Sequence, residues 1–254
     1  MHGLAKNYLQ RYEKAKSHRQ LFENLFDECY EYALPQREGF TKLSPGQRRD
    51  DRIFDETAVV GVQEFASRLQ NGICPNFARW ADFIAGSEVE DVDADRVNNE
   101  LDEVTEYVFE IIQNSNFGQE AHESFLDLAV GTGCLLVEEG DAINPVRFNA
   151  VPLPQIVLEN GPDDRIDHVY RERELRMRDL SIAYPKSVLP PNMAQQVLNQ
   201  PDRKCKIIEI VCRMYDKPNV ERHAFYVITK EDGELIYEEE FEGAGSNPFV
   251  CFRW

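Results

Sequence analysis

The hydrophobic pattern changes its period near residue 133, and that change limits the folds open to the chain. Upstream, Leu4, Tyr8, Tyr12, Ala15, Phe22, Leu25, Cys29 and Ala33 recur every three or four positions. This spacing predicts one helix to about residue 33, roughly 45 Å long at 1.5 Å per residue and ended by Pro35. The polar stretch 37–51 reads as an exposed loop. A second helix fits Phe54, Ala58, Val62, Phe65 and Leu69, with Asp55 as its N-cap and Asn71-Gly72 as its stop. In "ICPNFARWADF" Pro75 breaks the pattern. Phe77, Trp80 and Phe83 then read as anchors of a loop entering an extended segment, buried in their own core or packed across a subunit interface. A third helix uses Val97, Leu101, Val104, Val108 and Ile111, starting after the acidic "EVEDVDAD"; a short fourth uses Phe117, Ala121, Phe125, Leu128 and Ala129.

Beyond residue 133 the apolar runs are short, β-branched or alternating. "CLLVEE", "VRFNAVP", "QIVLEN" and "RIDHVYRER" are separated by Asn, Gly, Pro and Asp and read as strands. Small helices are expected around "MRDLSIAYP" and "PNMAQQVLNQ". "CKIIEIVCRMY", "ERHAFYVIT" and "ELIYEEEF" then form an antiparallel meander, with Asp232-Gly233 as a hairpin turn. Helices first and strands afterwards predict an α+β fold, divided into a helical part, 1–133, and a β-rich part, 134–254.

The formal net charge of −18 is unevenly spread. The first fifty residues hold 9 Lys+Arg against 7 Asp+Glu, leaving 19 against 39 for the rest. A body this acidic repels a phosphate backbone, which argues against tight sequence-independent DNA binding over its surface. The six cysteines stand singly among apolar neighbours with no C-x-x-C pair, as reduced, buried thiols do. The five histidines share no metal-ligand spacing, and no apolar run approaches the length of a membrane helix.

Three motifs invite a chemical reading. The turn Gly131-Thr132-Gly133, with Asp127 before it, resembles the cofactor loop of an S-adenosylmethionine-dependent methyltransferase. Such a loop needs a strand entering and a helix leaving, so that the helix N-terminus faces the ligand. Here helical spacing leads in and a strand-like run leads out, and Ala129 stands where the first glycine belongs. The two glycines read instead as backbone freedom for a helix stop and a tight reversal. Asp91, Asp93 and Asp95 alternate as in a calcium loop, but Arg96 and Asp102 occupy the positions that need glycine and glutamate. Asp163, Asp164, Asp167 and His168 read as a solvated turn into a strand, and "RRDDR", residues 48–52, as a local salt-bridge cluster. No P-loop, G-x-S-x-G or H-E-x-x-H motif occurs. No catalytic, cofactor-binding or metal-binding residue is assigned.

Three segments form a recognisable series. Residues 48–83 carry a basic lead-in, Phe54-Asp55, an alanine-rich helix ending in Leu-x-x-Gly, a Pro loop and a Trp-containing strand. Residues 114–140 run a short helix into Gly-Thr-Gly and an acidic-ended strand. Residues 151–180 pair a Pro-containing strand with another across an acidic turn and lead into a small helix. Taken in order, these segments resemble the head-to-tail connecting, or portal, proteins of short-tailed bacteriophages, and the order and spacing across about 130 residues carry the resemblance more than any one motif. Ala81 follows Trp80 where the family tends toward a second aromatic, and the family continues past "NPFVCFRW" into stem, clip and crown.

The resemblance implies a wing-like α+β part of a structural protein that catalyses nothing. Full-length portals assemble as a dodecameric ring at one vertex of the virion. Implied partners are further copies of itself, the major capsid protein, the terminase large subunit, the tail adaptor, internal head proteins and double-stranded DNA passing without sequence specificity, with no membrane. Lys14, Lys16, Arg19 and Arg48 are the basic residues expected to touch a neighbouring subunit or DNA, while an acidic ring discourages sticking. Without stem and clip, this part is expected to oligomerise poorly. The competing readings are the methyltransferase built on Gly131-Thr132-Gly133 and a protein–protein adapter that forms no ring.

Overall fold

Only part of the stripe on the first helix finds a sheet to bury against: Tyr8, Tyr12 and Ala15 pack on it, whereas Leu4, Phe22 and Leu25 are exposed. The computed structural model describes residues 2–41, 53–217 and 220–253. Four helices come first: α1 (His2–Ala33), α2 (Thr57–Ile73), α3 (Asp91–Asn114) and α4 (Phe117–Val130). Strands β1 (Thr132–Glu139), β2 (Val146–Ala150), β3 (Ile156–Asn160) and β4 (Ile166–Arg176) follow. Two short helices, α5 (Met177–Ala183) and α6 (Pro191–Asn199), precede β5 (Lys204–Met214), β6 (Arg222–Thr229), β7 (Leu235–Glu242) and β8 (Phe249–Arg253). The fold is α+β, and helix gives way to strand between Val130 and Thr132. The chain forms two compact units, Met1–Glu28 with Leu153–Phe249 and Cys29–Pro152 with Val250–Trp254.

The first unit is built on a five-stranded antiparallel sheet in the order β3-β4-β5-β6-β7. Its central strand β5 buries apolar side chains on both faces, with Glu209 held among Arg171, Arg173 and Tyr184. Ile208, Ile210 and Cys212 meet Ala5, Tyr8, Leu9, Tyr12 and Ala15 of α1, together with Val157, Tyr170, Ala224, Tyr226 and Ile228. Cys205 and Ile207 face the other way, into Met177, Leu180, Tyr184 and Met193 of α5, α6 and their flanks. Burying an isoleucine side chain fully contributes about 1.5–3 kcal/mol, so this strand organises the unit. Register runs from His168↔Cys212 to Arg176↔Lys204 on one side of β5 and from Ile207↔Thr229 to Met214↔Arg222 on the other. The expected hairpin at Asp232-Gly233 is present: Gly233 takes a φ of 62°, and its N–H donates to the Thr229 carbonyl at 3.0 Å.

The second unit packs α2, α3 and α4 with a three-stranded sheet in the order β2-β1-β8. Ala121, Phe125, Leu126 and Leu128 of α4 and Cys134, Leu135 and Leu136 of β1 are all buried. Gln70 ties α2 to α4: its Nε2 donates to the Gly118 carbonyl at 2.7 Å and to Asn76 Oδ1 at 2.9 Å. The outer edge of β2 is occupied by side chains of α4 and of Asn116, which precedes it. Asn116 exchanges two bonds with the Phe148 backbone, and Ala150 N–H donates to Glu120 Oε2 at 2.7 Å. That arrangement blocks pairing of a further strand along this edge.

Several boundaries differ from the sequence reading. Phe54 lies outside α2 and is 98% exposed, so it is not part of the apolar stripe. Asp55 accepts the Thr57 N–H at 2.8 Å and its hydroxyl at 2.5 Å, capping one step further out than a helix N-cap does. Helix α2 continues through Asn71-Gly72 to Ile73. Helix α3 begins inside the acidic run, at Asp91, which places Asp93 in the first turn, where its negative charge complements the helix dipole. The chain end, not read as a strand from the sequence, forms β8.

Candidate interaction surfaces

The turn that suggested a cofactor is closed by its own unit. Helix α4 enters and β1 leaves, the reverse of a dinucleotide or methyltransferase loop. The Asp127 carboxylate is fully buried and held by Arg37, whose Nε donates to Oδ1 at 3.0 Å and Nη2 to Oδ2 at 2.6 Å. The Tyr30 hydroxyl also donates to Oδ1, and Glu123 pairs with the remaining guanidinium nitrogen. Burial pushes the Asp127 pKa up against the opposing pull of Arg37 and Tyr30. Neither glycine adopts the left-handed conformation expected of a tight reversal. A Cβ on Gly133 would lie 2.4 Å from the Phe252 ring and 2.7 Å from the Ser124 carbonyl oxygen. Gly133 is therefore needed for space, not for dihedral freedom.

The remaining acidic motifs are structural as well. Asp93 pairs with Arg96 on the surface of α3 at 3.5 Å. In "GPDDRIDH" only the first part is a turn, with Asp164 at a φ of 57°. Asp167 and His168 are buried on β4, which corrects the solvated reading. Asp167 accepts a hydrogen bond from the Tyr215 hydroxyl, and burial with Arg11 nearby pushes the His168 pKa down. A surface hollow of about 650 Å³ is lined by Asn114, Asn116, Glu139, Asp141, Asn144 and Arg147, among others. Its Asp141 carboxylate already accepts the N–H groups of Ile143 and Asn144 at 2.8 and 2.7 Å. "RRDDR", Arg48 included, lies outside the described residues.

Of the basic residues expected to meet a partner, two are engaged inside the first unit. Arg19 binds Glu23 at 2.8 Å and the backbone carbonyls of Pro154 and Ile156, while Lys14 is exposed. Lys16 reaches Glu172 at 2.8 Å, where the Tyr12 hydroxyl and Lys230 also donate. Burial alone would raise the Glu172 pKa, but these donors outweigh it and hold it at about 2 instead of 4.5. The folded-state value lies below the unfolded one, so the stabilisation is complete above pH 4.5 and disappears as pH falls toward 2. Discounted for solvent screening, the loss is expected to reach about 2 kcal/mol. Urea unfolding of wild type and Glu172→Gln between pH 6 and pH 2 measures it: the variant is less stable at pH 6, and the gap narrows on acidification.

The second unit exposes a group of large apolar side chains. Phe77 is 94% exposed and Ile84 77%, with Phe83, Trp80, Val60, Ile73, Val104 and Tyr107 also exposed on α2, α3 and the segment between them. Residues 79–85 form no strand; side chains on one face of α3 hold them. Ala85 N–H donates to Asn98 Oδ1 at 2.8 Å and Phe83 N–H to Thr105 Oγ1 at 3.2 Å. Arg79 pairs with Asp102, and Trp80 packs edge-on against Phe109 with centroids 5.2 Å apart. Positions 98, 102, 105 and 109 follow helical spacing, so one face of α3 carries the whole segment. Burial of Phe77, Trp80 and Phe83 in their own core, the first of the two readings, is thus met by none of the three. A cluster of large exposed apolar side chains marks a surface made for contact. The family model described as bacteriophage head to tail connecting protein matches residues 5–254. A search of curated proteins finds no match. No described helix is long and apolar enough to cross a membrane.

Proposed function

The chain belongs to the bacteriophage head to tail connecting protein family, and on that premise we propose that it is a wing-forming part of a portal ring through which DNA is packaged and ejected. The match over residues 5–254 is the observation that carries the reading, since it spans both compact units. Family membership makes the protein a structural component that connects phage head and tail. The finer proposal is a twelve-fold ring at one capsid vertex that meets the major capsid protein, the terminase large subunit, the tail adaptor and internal head proteins. The chemical work of packaging belongs to the terminase.

Two properties of the chain support this role. The exposed apolar segment around Phe77 and Ile84 suits contact with a neighbouring subunit. The net charge of −18, multiplied around a ring, repels the transiting duplex and keeps it from adhering. Electron microscopy of the complete gene product tests the proposal, with a twelve-fold ring and central channel expected. Particles that stay monomeric at micromolar concentration would favour the adapter reading instead. Phe77→Ser with Ile84→Ser is expected to cut ring yield at least tenfold while leaving the unfolding midpoint within about 2 °C, because exposed side chains contribute little to the fold. Undiminished ring yield would remove this segment from the interface.

A further inference from the structure

Cys134 on β1 and Cys251 on β8 occupy neighbouring strands of the second unit's sheet, and their sulfur atoms lie 3.3 Å apart. Both carry reduced thiols; Cys134 is fully buried and Cys251 partly exposed. The strands are already pressed together, since the Phe252 ring covers the site a Gly133 Cβ would take and packs on Phe125 with centroids 5.6 Å apart. A disulfide needs sulfurs about 2.05 Å apart, and these two already stand within about 1.3 Å of that separation. We propose that Cys134 and Cys251 form a disulfide under oxidising conditions and so fasten the C-terminal strand to β1.

The chemistry follows from the difference in exposure. Oxidised glutathione, a disulfide oxidant, reaches Cys251 first; the Cys251 thiol loses its proton, attacks one sulfur and releases one glutathione thiol. The Cys134 thiol then loses its proton and displaces the second glutathione, forming the Cys134–Cys251 bond. Two protein thiols lose two protons and two electrons, and one glutathione disulfide becomes two thiols. Elsewhere the geometry is different. Cys212 is hydrogen-bonded to the Tyr8 hydroxyl at 3.1 Å, and burial pushes the thiols of Cys74, Cys205 and Cys212 up, keeping them protonated and slow to react.

The test uses the full chain, purified reduced and then equilibrated with excess oxidised glutathione. Two of the six thiols should disappear without gain of glutathione mass, and peptide mapping should join the peptides carrying Cys134 and Cys251. The bond closes a loop of 117 residues, so the unfolding midpoint should rise by about 10 °C and fall back on reduction. Cys251→Ser should show neither the cross-link nor the rise. The proposal fails if Cys134 and Cys251 both stay reduced, carry only glutathione, or link to another molecule. Cys134→Ser changes a fully buried position, so Cys251→Ser and the wild-type map decide the matter even if that variant does not fold.

Discussion

Replacing Arg37 with methionine is expected to lower the unfolding free energy of the second unit by about 3–5 kcal/mol, the range for stripping one partner from a buried ion pair. The reason lies in what remains. Asp127 is fully buried, and without the two guanidinium bonds its carboxylate keeps, among the described residues, the Tyr30 hydroxyl. Asp127→Asn should cost less, because Arg37 keeps Glu123 and the amide still occupies the pocket. Combining the two changes should recover much of the Arg37→Met loss, since no uncompensated charge is left inside. Denaturant unfolding of the three variants forms the cycle. The pH dependence gives a separate check. Losing Arg37 removes the interaction that lowers an already raised pKa, so the folded variant holds its proton more tightly than the unfolded chain. The deficit of Arg37→Met relative to wild type should therefore shrink as pH falls. A deficit independent of pH would mean that lost packing, not a stranded carboxylate, is responsible.

That ion pair also shows where the sequence stops being readable. Arg37 and Asp127 are 90 residues apart, and neither stands in a pattern that points to the other. Local periodicity, by contrast, carries far. The stripe on α1, the spacing on α3 and α4, and the alternation of β4 to β7 each follow from one residue's relation to its near neighbours. Periodicity cannot say what a stripe faces: Ala5, Tyr8 and Tyr12 meet strands more than 140 residues later. It also misleads where a side chain sits in phase but outside the helix, as with Phe54, and where a hydrophobic residue is retained for contact, as with Phe77. Asp167 and His168 looked solvated because their neighbours Asp163 and Asp164 form a turn. Two residues into β4 the same polar sequence is buried, with Tyr215 as a partner that local context does not reveal.

Gly133 to alanine is the other large expected effect, and it reverses the role that its motif suggested. If the glycine supplied only a permissive backbone, alanine at an ordinary φ would be nearly neutral or mildly stabilising. In the folded chain the new methyl would sit 2.4 Å and 2.6 Å from two Phe252 ring atoms and 2.7 Å from the backbone oxygen of Ser124. The ring can swing aside, at the expense of its packing on Phe125, but the Ser124 carbonyl belongs to α4 and can move only with the helix. Overpacking of this kind costs about 1–3 kcal/mol, and the rigid backbone contact places this substitution at the upper end. Phe252→Ala in the same chain should relieve the ring clash and leave the carbonyl clash. The double variant should therefore be more stable than the sum of the two single losses implies, while remaining below Phe252→Ala alone. Thermal unfolding of the four chains resolves these terms. Equal stability of Gly133→Ala and wild type would mean that β1 and β8 do not approach as closely as the Phe252 contact requires.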